Sequence, residues 1–297
     1  MNVAICVATY RRPAQLAALC EALARLERGP ETLLLAVADD DAEGSARAVV
    51  NAARARLPFP VVYEVEPERN ISLARNRSIR IALKLGAEWL AFIDDDEVPH
   101  PDWLAALLRV QRMTGADVVT GPVIARPPDG TPRWLRGAFS RDHAVPSGTA
   151  VPLAETANAL VSRAVVEHVA AATGAPFEPE FGLSGGGDTR FFLRARLAGA
   201  RMVWAAEAVV VEEVPPSRAR LGWLLRRSFR VGNAGAFVER GVLPALRWMP
   251  RRLAASFFHL VVAAGLLAVA PVRALRYAAQ AAGSIAGMLG IRYSEYR

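Results

Sequence analysis

Short apolar runs alternate with helical spacings along the first part of the chain. "VAICVAT" (3–9), "TLLLAVA" (32–38), "PVVYEV" (60–65), "WLAFI" (89–93) and "DVVTG" (117–121) are nearly continuous apolar stretches, as required of parallel strands buried on both faces. Helical patterns lie between them. One starts at Pro13 and carries Leu16, Leu19, Leu23 and Leu26 on one face; a second runs from Ser72 as N-cap to Gly86 as the C′ residue. A third has Pro101 in its first turn and buries Leu104, Leu107 and Leu108 before Gly115. The alternation predicts an open, mostly parallel α/β sheet with right-handed crossovers.

The pattern then changes. Residues 122–156 are rich in Pro and Gly and lack a period, which predicts a long excursion over the sheet, of the kind that forms substrate lids. "TANALVSR" (156–163) reads as a return strand. Residues 182–205 read as a glycine-rich loop, a short helix from Asp188 to Ala198, a stop at Gly199 and one more strand. The predicted organisation is a domain over 1–240, with halves 1–121 and 122–240, and an apolar helical tail over 241–297.

Within the tail, "LAASFFHLVVAAGLLAVA" (253–270) is interrupted only by Ser256 and His259, close to the ~17–25 residues that cross a bilayer. Arg251 and Arg252 precede it and Arg273 and Arg276 follow it. Positive charge on both flanks suits a single span poorly. The reading is a monotopic or re-entrant helix pair on the cytosolic membrane face, with a true span or an ordinary buried helix as alternatives.

The formal net charge is +7, and Lys84 is the sole lysine. A basic balance carried by arginine in an Ala- and Arg-rich chain is no argument for nucleic acid; anionic lipid or a phosphorylated ligand matches it as well. Cys6 and Cys20 make neither a disulfide framework nor a metal pair, so a reducing compartment is expected. "MNVAICVATY" opens directly as a strand without the regions of a signal peptide.

Ligands of open α/β sheets bind beyond the carboxyl ends of the strands. Thr9 and Arg11, Asp39 to Asp41, and Asp94 to Asp96 all lie there. The run Asp94, Asp95, Asp96, Glu97 raises a physical question, because adjacent carboxylates repel. A metal site, an aspartyl nucleophile and an acidic turn capping the next helix are the three answers. Mg²⁺ takes one or two carboxylates from protein and the rest from phosphates and water, and a D-x-D pair after a buried strand suits that. A haloacid-dehalogenase-type phosphatase is the rival: Asp94, Asp96 and Val98 match its D-x-D-x-[TV] motif. However, the motif here follows the fourth strand, and Asp188 has no acidic partner four residues on. No G-x-G-x-x-G follows the first strand and no P-loop is present.

Asp188 suits a helix N-cap, or a general base approached closely over Gly185, Gly186 and Gly187. Arg226, Arg227 and Arg230 in "WLLRRSFRVG" form either a solvated basic face or a seat for the diphosphate of a lipid-linked acceptor or for anionic headgroups.

Taken in order, "AICVATYRRPAQLAALCEAL", "RNISLARNRSIRIAL", "WLAFIDDDEVPHPDWL", "TANALVSR", "GGGDTRFFLRARLAGARMVWA" and "VPPSRARLGWLLRRSFRVGNA" resemble bacterial family 2 glycosyltransferases, and among them the succinoglycan and exopolysaccharide branch. The resemblance spans roughly residues 1–240. It implies a GT-A fold and an inverting transfer from a nucleotide-sugar donor, with UDP-hexose favoured. The acceptor would be a lipid-linked or saccharide hydroxyl at the cytoplasmic side of the bacterial inner membrane, with Mg²⁺ or Mn²⁺ as cofactor. It further implies that Thr9 and Arg11 line the nucleotide pocket and that Asp39 faces the base. Arg75 would approach the phosphates, Asp94 and Asp95 the ribose and sugar, and Asp96 the metal. Asp188 matches the catalytic base, and Asn158, Gly186, Gly187, Arg226, Arg227 and Arg230 fall on the acceptor or phosphate side. Two positions depart from the family: Gly187 stands where a glutamate is common, and Val211, before Glu212, where a histidine is common. A relative that binds nucleotide sugar without turnover is therefore the alternative.

Overall fold

The computed structural model describes residues 1–137, 139 and 145–294. In chain order the elements are β1 (Asn2–Thr9), α1 (Pro13–Leu23), β2 (Thr32–Asp39), α2 (Arg47–Arg56), β3 (Val61–Val65), α3 (Ile71–Lys84) and β4 (Trp89–Ile93). There follow β5 (Glu97–Pro99), α4 (Trp103–Thr114), β6 (Val118–Thr120), β7 (Val123–Arg126), α5 (Arg133–Arg136), β8 (Asn158–Ser162) and α6 (Arg163–Thr173). The chain ends with α7 (Gly187–Leu197), β9 (Met202–Trp204), β10 (Val210–Glu213), α8 (Leu221–Glu239), α9 (Ala245–Leu266) and α10 (Pro271–Met288).

These elements form two compact units: residues 1–124, 141–182 and 191–212 in the first, and 125–140, 183–190 and 213–297 in the second. The first is built on a seven-stranded sheet of order β3-β2-β1-β4-β8-β6-β9. β1 runs parallel to β2 and β4, and β3 parallel to β2, whereas β8 runs antiparallel between β4 and β6. The predicted α/β class and mostly parallel sheet are therefore present. Alternate residues of β1 feed opposite faces. Val3, Ile5 and Val7 join Leu16, Val50, Trp103 and Leu107 in one core, while Ala4 and Cys6 join Ile79, Val166 and Phe192 in the other. Each fully buried Leu, Ile or Val contributes about 1.5–3 kcal/mol. Both thiols are free and buried, and burial pushes Cys6 up to about 12.

Three local expectations shift. Asn70, not Ser72, caps α3: its extended backbone (φ −162°, ψ 107°) lets its Oδ1 accept from the N–H groups of Ser72 and Leu73. α1 closes at Leu23, although Leu26 beyond it remains buried. α7 opens at Gly187, so Asp188 stands in its first turn rather than at its cap. Of the predicted excursion over 122–156, residues 138 and 140–144 lie outside the described residues; the rest contains β7, α5 and a bridge from Ala150 to Val203.

In the second unit α10 packs along both α8 and α9. Gly232 on α8 and Gly283 on α10 lie where an added Cβ would collide with the carbonyl oxygens of Gln280 and Phe229. The two backbones can touch only because these residues lack side chains. The buried Glu239 carboxylate is held by Arg251 and by both Nε (3.0 Å) and Nη2 (2.9 Å) of Arg252. Among the described residues no helix is long and apolar enough to cross a membrane. α9 instead begins at Ala245, eight residues before the apolar run, and contains Pro250.

Candidate functional site

The acidic loop begins where β4 ends, and guanidinium groups hold it together. Thr9, the last residue of β1, donates from Oγ1 to Asp95 Oδ2 at 2.7 Å. Arg12 Nη1 donates to Asp95 Oδ1 at 2.9 Å and to Asp96 Oδ2 at 2.9 Å. Arg75, on α3, lies over the Phe177 ring and donates from Nη2 to Asp94 Oδ1 at 3.3 Å. Burial pushes Asp95 up to about 6, against the opposing pull of Arg12. Glu97 is fully buried, accepts from the Asp94 N–H at 2.8 Å and is raised well above the ordinary glutamate range, first by burial and then by Asp94. It stands opposite Glu212 in the β5–β10 pairing, a like-charge juxtaposition that adds to the upward shift. The capping explanation for the cluster fails, because α4 starts at Trp103 with Asp102 at its N-cap.

A second group gathers beyond β2. Arg11 grips Asp41 with Nε and Nη2, each at 3.2 Å. Its φ of 51° makes it the single non-glycine with positive φ among the described residues, a strain of order 1–3 kcal/mol that surroundings must hold in place. Arg11 and Arg69 both lie against the Tyr10 ring, at 5.3 and 4.7 Å. Asp39 is buried and accepts from the N–H groups of Asp41 (3.2 Å) and Ala46 (2.8 Å) and from the Tyr63 hydroxyl (2.8 Å). Its carboxylate thus shapes the loop after β2. Asp40 accepts from the Asn70 N–H at 2.7 Å, and burial pushes it up to about 6.

The structure therefore brings Thr9, Arg75, Asp94, Asp95 and Asp96 to one loop, and Arg11 and Asp39 to the next. Asn158 is also held by the fold. Its Oδ1 accepts from Trp103 Nε1 (2.8 Å), and its Nδ2 donates to the carbonyls of Pro122 (3.0 Å) and Ala208 (2.6 Å). The side chain assigned to the acceptor side is buried and ties α4 to the segments flanking β7 and β10. With Thr120, Glu155 and Trp204 it also lines a cavity of about 100 Å³.

In the second unit, Asp188 Oδ1 accepts from the Thr189 N–H at 2.7 Å. The preceding loop turns through Gly185 (φ 76°) and Gly186 (φ 90°), and a Cβ on Gly185 would lie 3.0 Å from Arg230 Nη1. Of the three arginines predicted on α8, Arg230 thus borders the glycine loop, Arg227 lies over the Trp223 ring at 5.2 Å, and Arg226 is exposed.

Sequence reasoning missed Arg12, Asn70 and Asn76. Asn76 exchanges two hydrogen bonds with the backbone of Phe177, at 2.7 and 2.9 Å, which holds that ring under Arg75. For Arg12 the signal was weak: "RR" in "TYRRP" offers two equal candidates, and only the left-handed backbone at Arg11 separates their directions.

The chemistry of the loop suits a hard divalent cation. Asp94 and Asp96 offer carboxylate oxygens with side chains 42% and 16% exposed. Among the described residues no three His, Cys, Asp or Glu form a metal-binding group. The protein's share would be the one or two carboxylates that Mg²⁺ commonly accepts alongside phosphate oxygens.

Residues 1–234 match the family model described as glycosyltransferase like family 2. The chain is 38% identical over 303 residues to the succinoglycan biosynthesis protein ExoM of Rhizobium meliloti (strain 1021), covering 99% of this chain and 95% of that protein. It is 33% identical to the glycosyltransferase AglE of Haloferax volcanii over 48% of this chain and 44% of that protein. Among solved structures, the mannosyltransferase PcManGT from Pyrobaculum calidifontis, in complex with GDP-Man and Mn²⁺, superposes with a TM-score of 0.64 at 18% identity. That match covers 97% of this chain and 87% of that one. S. aureus TarS 1–349 in complex with UDP-GlcNAc gives 0.54 at 14% identity, covering 100% and 93%, whereas a longer TarS chain is covered only to 43%. The sheet order, the strand-end carboxylates and a near full-length relative agree: the chain has a GT-A fold, belongs to glycosyltransferase family 2 and is an enzyme of the hexosyltransferase class.

Proposed function

We propose that this enzyme transfers a hexose, with inversion, from a nucleotide-diphosphate donor to a hydroxyl of a lipid-linked or polysaccharide acceptor during exopolysaccharide synthesis. UDP-hexose is the favoured donor. One observation carries the reading: Asp94, Asp95 and Asp96 converge with Thr9, Arg12 and Arg75 at the carboxyl edge of β1 and β4. That is where such sheets bind ligands. Family membership with a near full-length exopolysaccharide relative supports it and leaves no place for the phosphatase reading.

Within this reading Asp96, with Asp94 beside it, would hold Mg²⁺ or Mn²⁺, which when bound would neutralise charge on the diphosphate leaving group. Asp95, fixed by Thr9 and Arg12, orients the sugar or ribose, and Arg75 meets the phosphates. The Arg11–Asp41 pair, Tyr10 and Asp39 shape the nucleoside end. Asp188, assigned by its motif position, takes the proton from the attacking hydroxyl, and Gly186 and Gly187 keep its approach open.

The tail would seat the enzyme on the cytoplasmic face of the bacterial inner membrane. Leu246, Met249, Leu253, Phe257 and Leu260 recur at helical spacing along α9 and are all exposed, Leu246 at 91% and Phe257 at 70%. Contiguous exposed apolar surface of this kind marks a partner or a lipid surface. Between residues 241 and 294 there are six arginines and no acidic residue, which favours anionic headgroups over a second protein copy.

The absence of a carboxylate at Gly187 and of an imidazole at Val211 favours one second reading, a donor-binding relative without turnover. Incubation with UDP-, GDP- and dTDP-hexoses plus Mn²⁺ tests both. A thermal shift with one donor, together with its slow hydrolysis, is the expected result. A shift without hydrolysis or transfer would leave a binding protein, and no shift with any donor would overturn the assignment.

A further inference from the structure

Arg12 is the group that the sequence did not single out, and its geometry is specific. One nitrogen, Nη1, lies 2.9 Å from an oxygen of Asp95 and 2.9 Å from an oxygen of Asp96. A single positive charge thus bridges two adjacent carboxylates. The two partners differ in burial. Asp95 is almost wholly buried and also fixed by Thr9, whereas the Asp96 side chain stays 16% exposed. The Arg12 side chain is itself 35% exposed and sits on a flexible stem. Arg11, the neighbouring guanidinium, is committed elsewhere by its bidentate contact with Asp41.

We propose that Arg12 stands in for the divalent cation while the donor is absent, holding the Asp95–Asp96 pair together, and gives Asp96 up when donor and cation arrive. This rests on the reading of Asp96 as the metal carboxylate. Without Arg12 the two carboxylates would repel each other at partial burial. With it, a cation arriving alone meets a guanidinium already on its ligand. A nucleotide diphosphate changes the balance, because its phosphate oxygens offer Arg12 another bidentate partner while bringing further ligands to the cation. Cation and donor then favour each other's binding through the movement of one side chain. Arg12 is accordingly a positioning residue that sets the order in which the site fills.

The test is Mn²⁺ binding to the full chain, measured by calorimetry or by the electron paramagnetic resonance of free Mn²⁺, with and without UDP. Arg12→Gln should tighten donor-free Mn²⁺ binding by about tenfold, within the usual range of a coupling between sites, and reduce the effect of UDP. Arg12→Lys, which keeps the charge, should stay near the native value. Melting should report the same exchange: the Gln variant melts lower than the native chain in EDTA and recovers with Mn²⁺. A Gln variant that folds only with Mn²⁺ supports the proposal equally. Unchanged or weaker donor-free Mn²⁺ binding by that variant, or failure to fold with and without Mn²⁺, overturns it. If neither protein binds Mn²⁺ even with UDP present, the metal reading of Asp96 falls instead, and the donor assignment with it.

Discussion

Thr9 Oγ1 lies 2.7 Å from Asp95 Oδ2, so the end of β1 directly fixes the acidic loop after β4. β1 and β4 are neighbours in parallel register, with Cys6 beside Phe92. A hydroxyl three residues beyond that pair reaches a carboxylate three residues beyond its partner. Thr9→Val, similar in shape but without the donor, removes a hydrogen bond to a buried carboxylate. The expected cost is about 1–3 kcal/mol in denaturant unfolding, with weaker donor binding alongside. Thr9→Ser should recover most of both; a Val variant of native stability and affinity would make the contact incidental.

Asp188→Asn keeps the size and one acceptor oxygen of the side chain but removes the base. Transfer should fall by ~10²–10⁴-fold, while nucleotide binding, measured by calorimetry, stays near native. A variant that turns over at the native rate would take Asp188 out of the mechanism.

Asp40 gives a pH dependence with a definite sign. Burial pushes its folded-state value to about 6, above its unfolded value. Between the two values the native state binds the extra proton, so this group's contribution is greatest below the unfolded value. It is lost as pH rises towards about 6 and is constant above. Asp40→Asn retains an acceptor for the Asn70 N–H and should flatten this part of the stability profile between pH 4 and 6. Denaturant unfolding at stepped pH measures it, and an unchanged slope would count against the shift.

On α9, Phe257→Glu places a carboxylate on the exposed apolar stripe. Flotation with phosphatidylglycerol-containing vesicles should show loss of most bound protein, with hydrolysis of soluble donor unaffected. Arg247→Glu should weaken binding less, and mainly at low salt, since exposed charges act only within the screening length. Retention of full vesicle binding by Phe257→Glu would point to another contact surface, and dimerisation of the native chain lost in that variant would point to a second copy.

Much of the fold was legible in advance, because consecutive apolar residues report burial directly. The runs at 3–9, 32–38, 60–65 and 89–93 became β1 to β4 within a residue or two at each end. The acidic cluster follows β4 directly for the same reason. The cap of α3 was not, since Asn70 and Ser72 are both good caps and the choice turned on an extended backbone at Asn70.

The sequence by itself determined which residues lie at the carboxyl ends of the strands, because period and strand length are properties of neighbours along the chain. Only the tertiary structure decided what those residues touch. The positive φ of Arg11 sends one guanidinium to Asp41 and leaves Arg12 to bridge Asp95 and Asp96. The antiparallel entry of β8 places Asn158 against Trp103, where its amide is used by the fold. Partners more than eighty residues apart, such as Arg12 and Asp95, are chosen by packing, and packing leaves no period in the sequence.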